Sequence, residues 1–178
     1  MKRLVPSLVG MLLALGLLAG ASSATHSNGQ GPDFDKVDGT GKQQLTTPFG
    51  VFPAQLHVNA KRDPSGVGAQ GHFYTDILSS PFGEVVLSGV VDGLTVNGNN
   101  AFVCGTITES TLPAIVPPGA KTLGRHVDNG EGSKATNPDQ GAGIIIGGTT
   151  TPPMTVCPAI TIPTRPVEQG NYIVHDGQ

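Results

Sequence analysis

The strongest structural signal in the chain is a run near its middle, Leu94-Thr95-Val96-Asn97-Gly98-Asn99-Asn100-Ala101-Phe102-Val103-Cys104. Gly and Asn tolerate the positive φ that a two-residue β-hairpin turn requires, so either Asn97-Gly98 or Gly98-Asn99 can form the turn. Because side chains alternate along a strand, both choices give the same predicted core face. Its members are Leu94, Val96, Ala101, Val103 and Ile107. The same alternation places Phe102 and Cys104 on the opposite face, where another part of the chain must cover them.

Short apolar runs recur on both sides of this hairpin, and turn residues separate them. The chain has 26 glycines and 15 prolines, which disfavour helix interiors and suit turns. Ile144-Ile145-Ile146, bounded by glycines, predicts a short buried strand. The proline-rich segment 149–166 predicts an edge segment or a wrapping tail. We expect further strands at 51–60, 71–78, 84–91, 122–127 and 171–175.

The spacing of these runs indicates the fold class. Short strand-like segments at this spacing, with no helical stripe after residue 24, are typical of an antiparallel barrel or sandwich. An exported protein must protect its sheet edges, and closing a sheet into a barrel removes them. The sequence therefore predicts an all-β fold, namely a small antiparallel β-barrel, with a β-sandwich as the alternative.

The N-terminus has the parts of a secretory signal peptide. Lys2 and Arg3 precede an uncharged apolar run from Leu4 to Leu18, and small residues then lead to Ala24. That apolar run is too short for a stable membrane span. The mature protein should therefore be secreted or otherwise extracytoplasmic, with no membrane span. We predict a cleaved signal peptide at 1–24, a flexible polar leader at 25–46 and a single antiparallel β domain at 47–178.

The two cysteines of the chain, Cys104 and Cys157, are also relevant to export. Both lie in apolar, strand-like runs. An even number of cysteines in an exported chain favours pairing, because the compartment outside the cytoplasm is oxidising. We therefore predict a Cys104–Cys157 disulfide, and two buried free thiols are the alternative.

Four segments of the chain form a recognisable set. They are Leu56-His57-Val58-Asn59-Ala60-Lys61-Arg62-Asp63-Pro64-Ser65-Gly66; Leu94-Thr95-Val96-Asn97-Gly98-Asn99; Val127-Asp128-Asn129-Gly130-Glu131-Gly132 with Pro138-Asp139-Gln140; and Gln169-Gly170-Asn171-Tyr172-Ile173-Val174-His175-Asp176-Gly177. In this order and at this spacing they resemble a widespread group of secreted bacterial proteins of unassigned function. The resemblance covers roughly residues 45–178 and implies a single exported β domain, but no activity. Such relatives often carry a cysteine where this chain has Gly93, so no disulfide pairing is carried over from them.

The polar loop at 128–139 is a candidate calcium site. Asp128, Asn129, Glu131 and Asp139 place several oxygen ligands on one glycine-containing loop, and calcium prefers such ligands. The spacing differs from that of an EF-hand. The alternative interpretation is a solvated turn in which the Asp and Asn side chains bind backbone groups.

Four histidines form a second candidate metal site. His57, His72, His126 and His175 all lie in predicted strands, and imidazoles that converge inside a small barrel can bind zinc or copper. No two of them have the sequence spacing of known metal ligands. The alternative interpretation is that they are ordinary strand residues.

Several function classes find no support in the sequence. The chain has a net charge of −3 and no cluster of basic residues, which argues against a nucleic-acid partner. It contains no Gly-x-Ser-x-Gly motif and no phosphate-binding glycine loop, so no catalytic residue is assigned. We therefore predict an exported, non-enzymatic module with no cofactor apart from the calcium candidate. It would bind an extracellular ligand or a cell-envelope partner, or serve as a structural unit. The alternative is a secreted metal-dependent or hydrolytic enzyme with its site in a barrel mouth.

Overall fold

The computed structural model describes residues 34–62, 67–130 and 137–177, and the predicted signal peptide at 1–24 lies outside them. Within these ranges the chain forms eight strands in a closed antiparallel barrel. Each strand pairs with the next along the chain, and the last pairs with the first. The strands are β1 (Lys36–Thr47), β2 (Gly50–Arg62), β3 (Ala69–Ser80), β4 (Gly83–Asn97), β5 (Asn100–Ser110), β6 (Lys121–Val127), β7 (Gln140–Gly147) and β8 (Arg165–His175).

The barrel confirms the predicted fold class, and the central hairpin is formed as expected. Asn97 pairs with Asn100, so Gly98-Asn99 is the two-residue turn. Gly98 has a φ of 57°, which a glycine adopts without strain. The five residues of the predicted core face are all buried, with at most 6% of their surface exposed.

The barrel interior holds two apolar clusters, which follow one another along the barrel axis. The cluster nearer the chain termini is formed by residues such as Val58, Leu94 and Tyr172. The cluster nearer the β1–β2 turn is formed by residues such as Leu56, Leu87 and Ile107. Both arise from alternation along the strands, which places every second side chain inside the barrel except where the register shifts, as at Asp92.

The predicted leader is corrected by the structure for residues 36–46, because β1 occupies Lys36–Thr47. The strand lacks an apolar alternation, since three of its inward positions are Gly39, Gly41 and Gln43. The two glycines are required by packing: a Cβ atom on Gly41 would lie 2.8 Å from the Tyr172 hydroxyl oxygen. The strand therefore pairs with β2 and β8 although its sequence looks like a linker.

Three other predictions differ from the structure in detail. The predicted strands at 84–91 and 94–96 form one long strand, β4, because Asp92 is accommodated as an extra residue where the register shifts. The last strand begins at Arg165 rather than near 171. Ile144, Ile145 and Ile146 are not buried, since each is between 37% and 46% exposed. They lie in the second half of β7, which pairs with β6 on one side but has no pairing with β8 on the other.

The proline-rich segment forms the predicted wrapping tail. Residues 148–164 contain no strand, and Cys157 and Ile162 are buried against the outer side chains of Phe102 and Cys104. The Thr95 hydroxyl donates a hydrogen bond of 2.7 Å to the carbonyl oxygen of Cys157. The tail thus covers the second apolar face that the central hairpin leaves on the outside of the barrel.

The predicted disulfide joins this tail to the barrel wall. Cys104 on β5 and Cys157 in the tail are bonded, with their Cα atoms 5.3 Å apart. A disulfide stabilises mainly by restricting the unfolded chain, and the restriction grows with the length of the closed loop. The cysteines are 53 residues apart in sequence, so the restriction is large.

We expect the double variant Cys104→Ala/Cys157→Ala to lose about 2–4 kcal/mol of unfolding free energy, because its unfolded state is no longer cross-linked. Urea unfolding followed by circular dichroism would measure the loss. A reducing agent should lower the stability of the unmodified protein by a similar amount and leave the double variant unchanged. Equal urea midpoints for the oxidised protein and the double variant would contradict this account.

Candidate functional site

Three of the four predicted calcium ligands lie where the last two strands meet. Glu131 is outside the described residues, whereas Asp128, Asn129 and Asp139 are described. The Asn129 side chain donates to the carbonyl oxygen of Pro138 over 2.7 Å. Across the described ranges, no group of three or more histidine, cysteine, aspartate or glutamate side chains is placed to hold a metal ion. Calcium binding at this loop stays a prediction.

The two aspartates bind backbone amides. The Asp139 carboxylate accepts hydrogen bonds from the amide nitrogens of Asn129 and Tyr172, over 2.8 and 2.6 Å. The Asp128 carboxylate accepts from those of Gly130 and Val174, over 2.8 and 3.0 Å. These are the contacts of the alternative interpretation, in which the loop side chains bind backbone groups.

This arrangement closes the barrel. The β7–β8 ladder has only two residue pairs, Gln140–Pro166 and Gly141–Arg165. The backbone amides of Tyr172 and Val174 therefore donate hydrogen bonds to carboxylates rather than to carbonyl groups of β7. The Asp139 carbonyl oxygen also accepts from the Val167 amide over 2.7 Å. Side-chain hydrogen bonds thus take the place of strand pairing at this seam.

We expect Asp139→Asn to lose about 2–3 kcal/mol of unfolding free energy, because an asparagine amide group would meet a backbone N–H that needs an acceptor. Urea unfolding would measure the loss, and hydrogen exchange at the Tyr172 amide should become faster. Glu109→Gln, which changes an exposed carboxylate on β5, is the matched control. A loss no larger than that of the control would contradict the role of Asp139.

The candidate histidines do not converge. His57 and His72 lie side by side on the outer face of β2 and β3, with ring centroids 5.5 Å apart. The His57 Nδ1 atom is 2.8 Å from the Thr40 hydroxyl oxygen. His175 pairs with Lys36 at the far end of β8. His126 alone of the four points into the barrel, since it pairs with the inward residue Ala101.

A cavity of about 460 Å³ occupies the interior at the end of the barrel formed by the β1–β2 and β3–β4 turns. Its walls are mainly apolar, with a few hydroxyl groups. None of the described lining residues is an aspartate, glutamate, lysine, arginine or cysteine. Residues that form the walls include Leu56, Phe73, Val85, Leu87, Val103 and Thr122.

The cavity exists because inward positions of β6 and β7 lack side chains. In a barrel of eight strands the interior is just wide enough to be filled by side chains. Here Gly124 and Gly143 face each other across the β6–β7 ladder and both line the cavity. A Cβ atom added to Gly143 would meet nothing within 4 Å. The missing side chain of Gly143 therefore leaves open space, whereas a Cβ atom on Gly124 would lie 3.1 Å from His126 Nε2.

The mouth of the cavity carries exposed apolar side chains. Phe49 in the β1–β2 turn and Phe82 in the β3–β4 turn are in edge-to-face contact, with ring centroids 5.0 Å apart. Ile115, in the connection between β5 and β6, and Ile145 on β7 complete the rim, and all four are more than 40% exposed. An apolar molecule that approaches this end meets apolar surface before it reaches the interior.

Three polar side chains are buried at the inner end of the barrel, by which we mean the end of the interior away from the mouth. Among the described residues, some of their polar atoms have no hydrogen-bond partner. They are Gln43 on β1, His126 on β6 and Tyr172 on β8, each less than 5% exposed. The atoms concerned are both amide atoms of Gln43, Nδ1 of His126 and the Tyr172 hydroxyl. The His126 and Tyr172 rings are in edge-to-face contact at 4.6 Å.

Burial keeps this polar cluster neutral. Loss of solvent lowers the pKa of His126 to about 4, because the charged imidazolium is poorly solvated there. Loss of solvent also raises the pKa of Tyr172 far above its ordinary value, and the nearby Asp139 charge raises it further. At neutral pH the cluster therefore offers uncharged donors and acceptors.

The lowered pKa of His126 predicts a pH-dependent stability. Between pH 6.5 and about 4 the unfolded chain binds a proton at this residue that the folded chain does not bind. The unfolding free energy should therefore fall as the pH decreases through this window, by up to roughly 3 kcal/mol from this residue. Urea unfolding at pH 7.5 and pH 4.5 would measure the fall.

The His126→Phe variant isolates this contribution, and His72→Phe on the outer face is the matched control. We expect the stability loss on acidification to be smaller in His126→Phe than in the unmodified protein, and unchanged in His72→Phe. An equal loss in all three proteins would show that His126 does not contribute.

Neither a protein-family model, a curated protein nor a solved structure matches this chain. The resemblance to secreted bacterial proteins stays a prediction. No helix in the described part of the chain is long and apolar enough to cross a membrane. The Cys104–Cys157 disulfide is consistent with an extracellular protein.

Sequence reasoning named two residues that line this cavity as site candidates, His57 and His126, and assigned both to metal binding. Gln43 was missed because it lies in the predicted leader, and Tyr172 because a tyrosine in a strand has no distinctive pattern. The signal that was present is the pair of glycines at inward positions of β6 and β7, Gly124 and Gly143. It is readable only once the strand register is known.

Proposed function

We propose that this chain is an exported β-barrel that binds a small apolar molecule in its interior. The observation that carries the proposal is the cavity of about 460 Å³ with uncharged, mainly apolar walls. Binding sites for small molecules are concave and lined mostly by apolar side chains, with a few placed polar groups. Their volumes lie in the range of about 300–1,000 Å³, so this cavity has a suitable size.

The walls provide the driving force for such binding. Each methylene group moved from water into an apolar site contributes about 0.8 kcal/mol. Leu56, Phe73 and Leu87 offer aliphatic and aromatic contact without a charged group that would need solvent. The exposed apolar rim around Phe49 and Phe82 supports access from this end, because a ligand loses water there before it enters.

Export is part of the proposal. The signal-peptide features at 1–24 support it from the sequence, and the disulfide between Cys104 and Cys157 supports it from the structure, because such bonds persist in oxidising compartments. A barrel that acts outside the cytoplasm would meet apolar molecules released from membranes or taken up from the surroundings.

The test uses N-phenyl-1-naphthylamine, a neutral probe whose fluorescence rises in an apolar site. We expect saturable binding by the unmodified protein, with an affinity in the micromolar range. Gly143→Leu should weaken binding at least about tenfold, because its side chain would occupy the cavity, where roughly 1.4 kcal/mol of lost contact gives that factor. Fluorescence titration gives both dissociation constants.

Gly148→Leu is the matched control for this variant. A Cβ atom on Gly148 also meets nothing within 4 Å, but the residue is not among those that line the cavity. Its affinity for the probe should equal that of the unmodified protein. Absence of saturable binding, or equal weakening in Gly143→Leu and Gly148→Leu, would overturn the proposal.

A further inference from the structure

The unpartnered polar cluster at the inner end of the barrel needs an explanation. A buried hydroxyl or amide without a hydrogen bond costs on the order of 1–3 kcal/mol, so native proteins rarely retain one without a reason. Here Gln43, His126 and Tyr172 come from three different strands and all point inward. Apolar side chains at these positions would fill the barrel at lower cost.

The cluster adjoins the cavity. His126 is itself one of the cavity-lining residues, and its ring contacts the Tyr172 ring. The Gln43 side chain lies against Gly141, the residue that pairs with His126 in the β6–β7 ladder. His126 therefore gives the cavity a polar end opposite the open mouth, and Tyr172 and Gln43 lie directly behind that part of the wall.

We propose that the ligand carries one neutral hydroxyl or carbonyl group, which binds at this polar end while its apolar part fills the cavity. This inference rests on the proposed function and specifies the chemical class of its ligand. A neutral imidazole, a phenol and a carboxamide can each donate and accept a hydrogen bond. A ligand hydroxyl can do both as well, and a carbonyl can accept from any of them.

The same surroundings disfavour a ligand carboxylate. No lysine or arginine is present among the described lining residues to pair with an anion. The Asp139 carboxylate binds the backbone amide of Tyr172 and places a negative charge beside the cluster. A buried anion without a partner is far more costly than a buried hydroxyl, so a fatty-acid anion should bind less well than an alcohol of the same length.

Buried water is the competing explanation for the cluster, because internal waters commonly satisfy such groups. The two explanations predict different effects of a variant at the polar end on ligand affinity. If water alone occupies the polar end, a variant that removes a protein hydroxyl there leaves the affinity for an alcohol unchanged relative to the affinity for a probe without a hydroxyl. If the ligand head group binds there, the same change weakens the alcohol selectively.

The experiment is displacement of N-phenyl-1-naphthylamine from the full mature chain by decan-1-ol and by decanoate at pH 8. We expect the unmodified protein to bind decan-1-ol at least about tenfold more tightly than decanoate. Tyr172→Phe should lower the affinity for decan-1-ol relative to that for the probe by about tenfold, which is the size of one buried hydrogen bond. Tyr74→Phe, on the outer face of β3, is the matched control and should leave both affinities unchanged.

Gln43→Met provides a second variant of similar size in case Tyr172→Phe folds poorly, and the comparison on the unmodified protein needs no variant at all. Decanoate binding as tight as that of decan-1-ol would overturn the inference. So would an unchanged ratio of alcohol to probe affinity in both Tyr172→Phe and Gln43→Met. Failure of the probe itself to bind would instead overturn the proposed function, so the two failures are distinguishable.

Discussion

Closure of the barrel depends on two carboxylates at the β7–β8 seam. A sheet closes only if its first and last strands find partners, yet β7 and β8 share just two residue pairs. Asp128 and Asp139 bind the backbone amides of Val174 and Tyr172 in place of a strand. A carboxylate accepts several hydrogen bonds, and its charge strengthens each one. Two side chains can therefore replace much of a missing ladder.

This seam also bears on the opening at the end of the barrel formed by the β1–β2 and β3–β4 turns. The carboxylates hold β8 close at the end where β6 ends and β7 begins. Beyond Gly141, β7 continues without β8 beside it, and its later residues line the cavity and its rim. The absence of a side chain at Gly143 adds empty space inside the barrel. Closure of the sheet near Gly141 and access at the end beyond it thus follow from the same short ladder.

The sequence predicted the parts of the fold that depend on alternation and turn chemistry. Leu94 and Val96 were correctly assigned to the core because a strand with one buried face must alternate. The hairpin was correct because its turn needs a positive φ, and the structure selects Gly98-Asn99 from the two turns that the sequence left open. β1 was not recognisable, since Gly39, Gly41 and Gln43 occupy its inward positions. Glycines there are required by the ring of Tyr172, a partner more than 130 residues away in sequence, which no local pattern reveals.

The cavity could not be predicted from the sequence for a related reason. An empty volume is a property of side chains that are absent from several strands at one level, so it depends on register and not on any motif. His126 was visible as a histidine in a strand, but its neutral state and its contact with Tyr172 follow only from burial. A barrel with a purely structural role would gain stability from apolar side chains at positions 43 and 126. Retention of unpartnered polar groups beside an open apolar cavity is better explained by a ligand that supplies the missing hydrogen bonds.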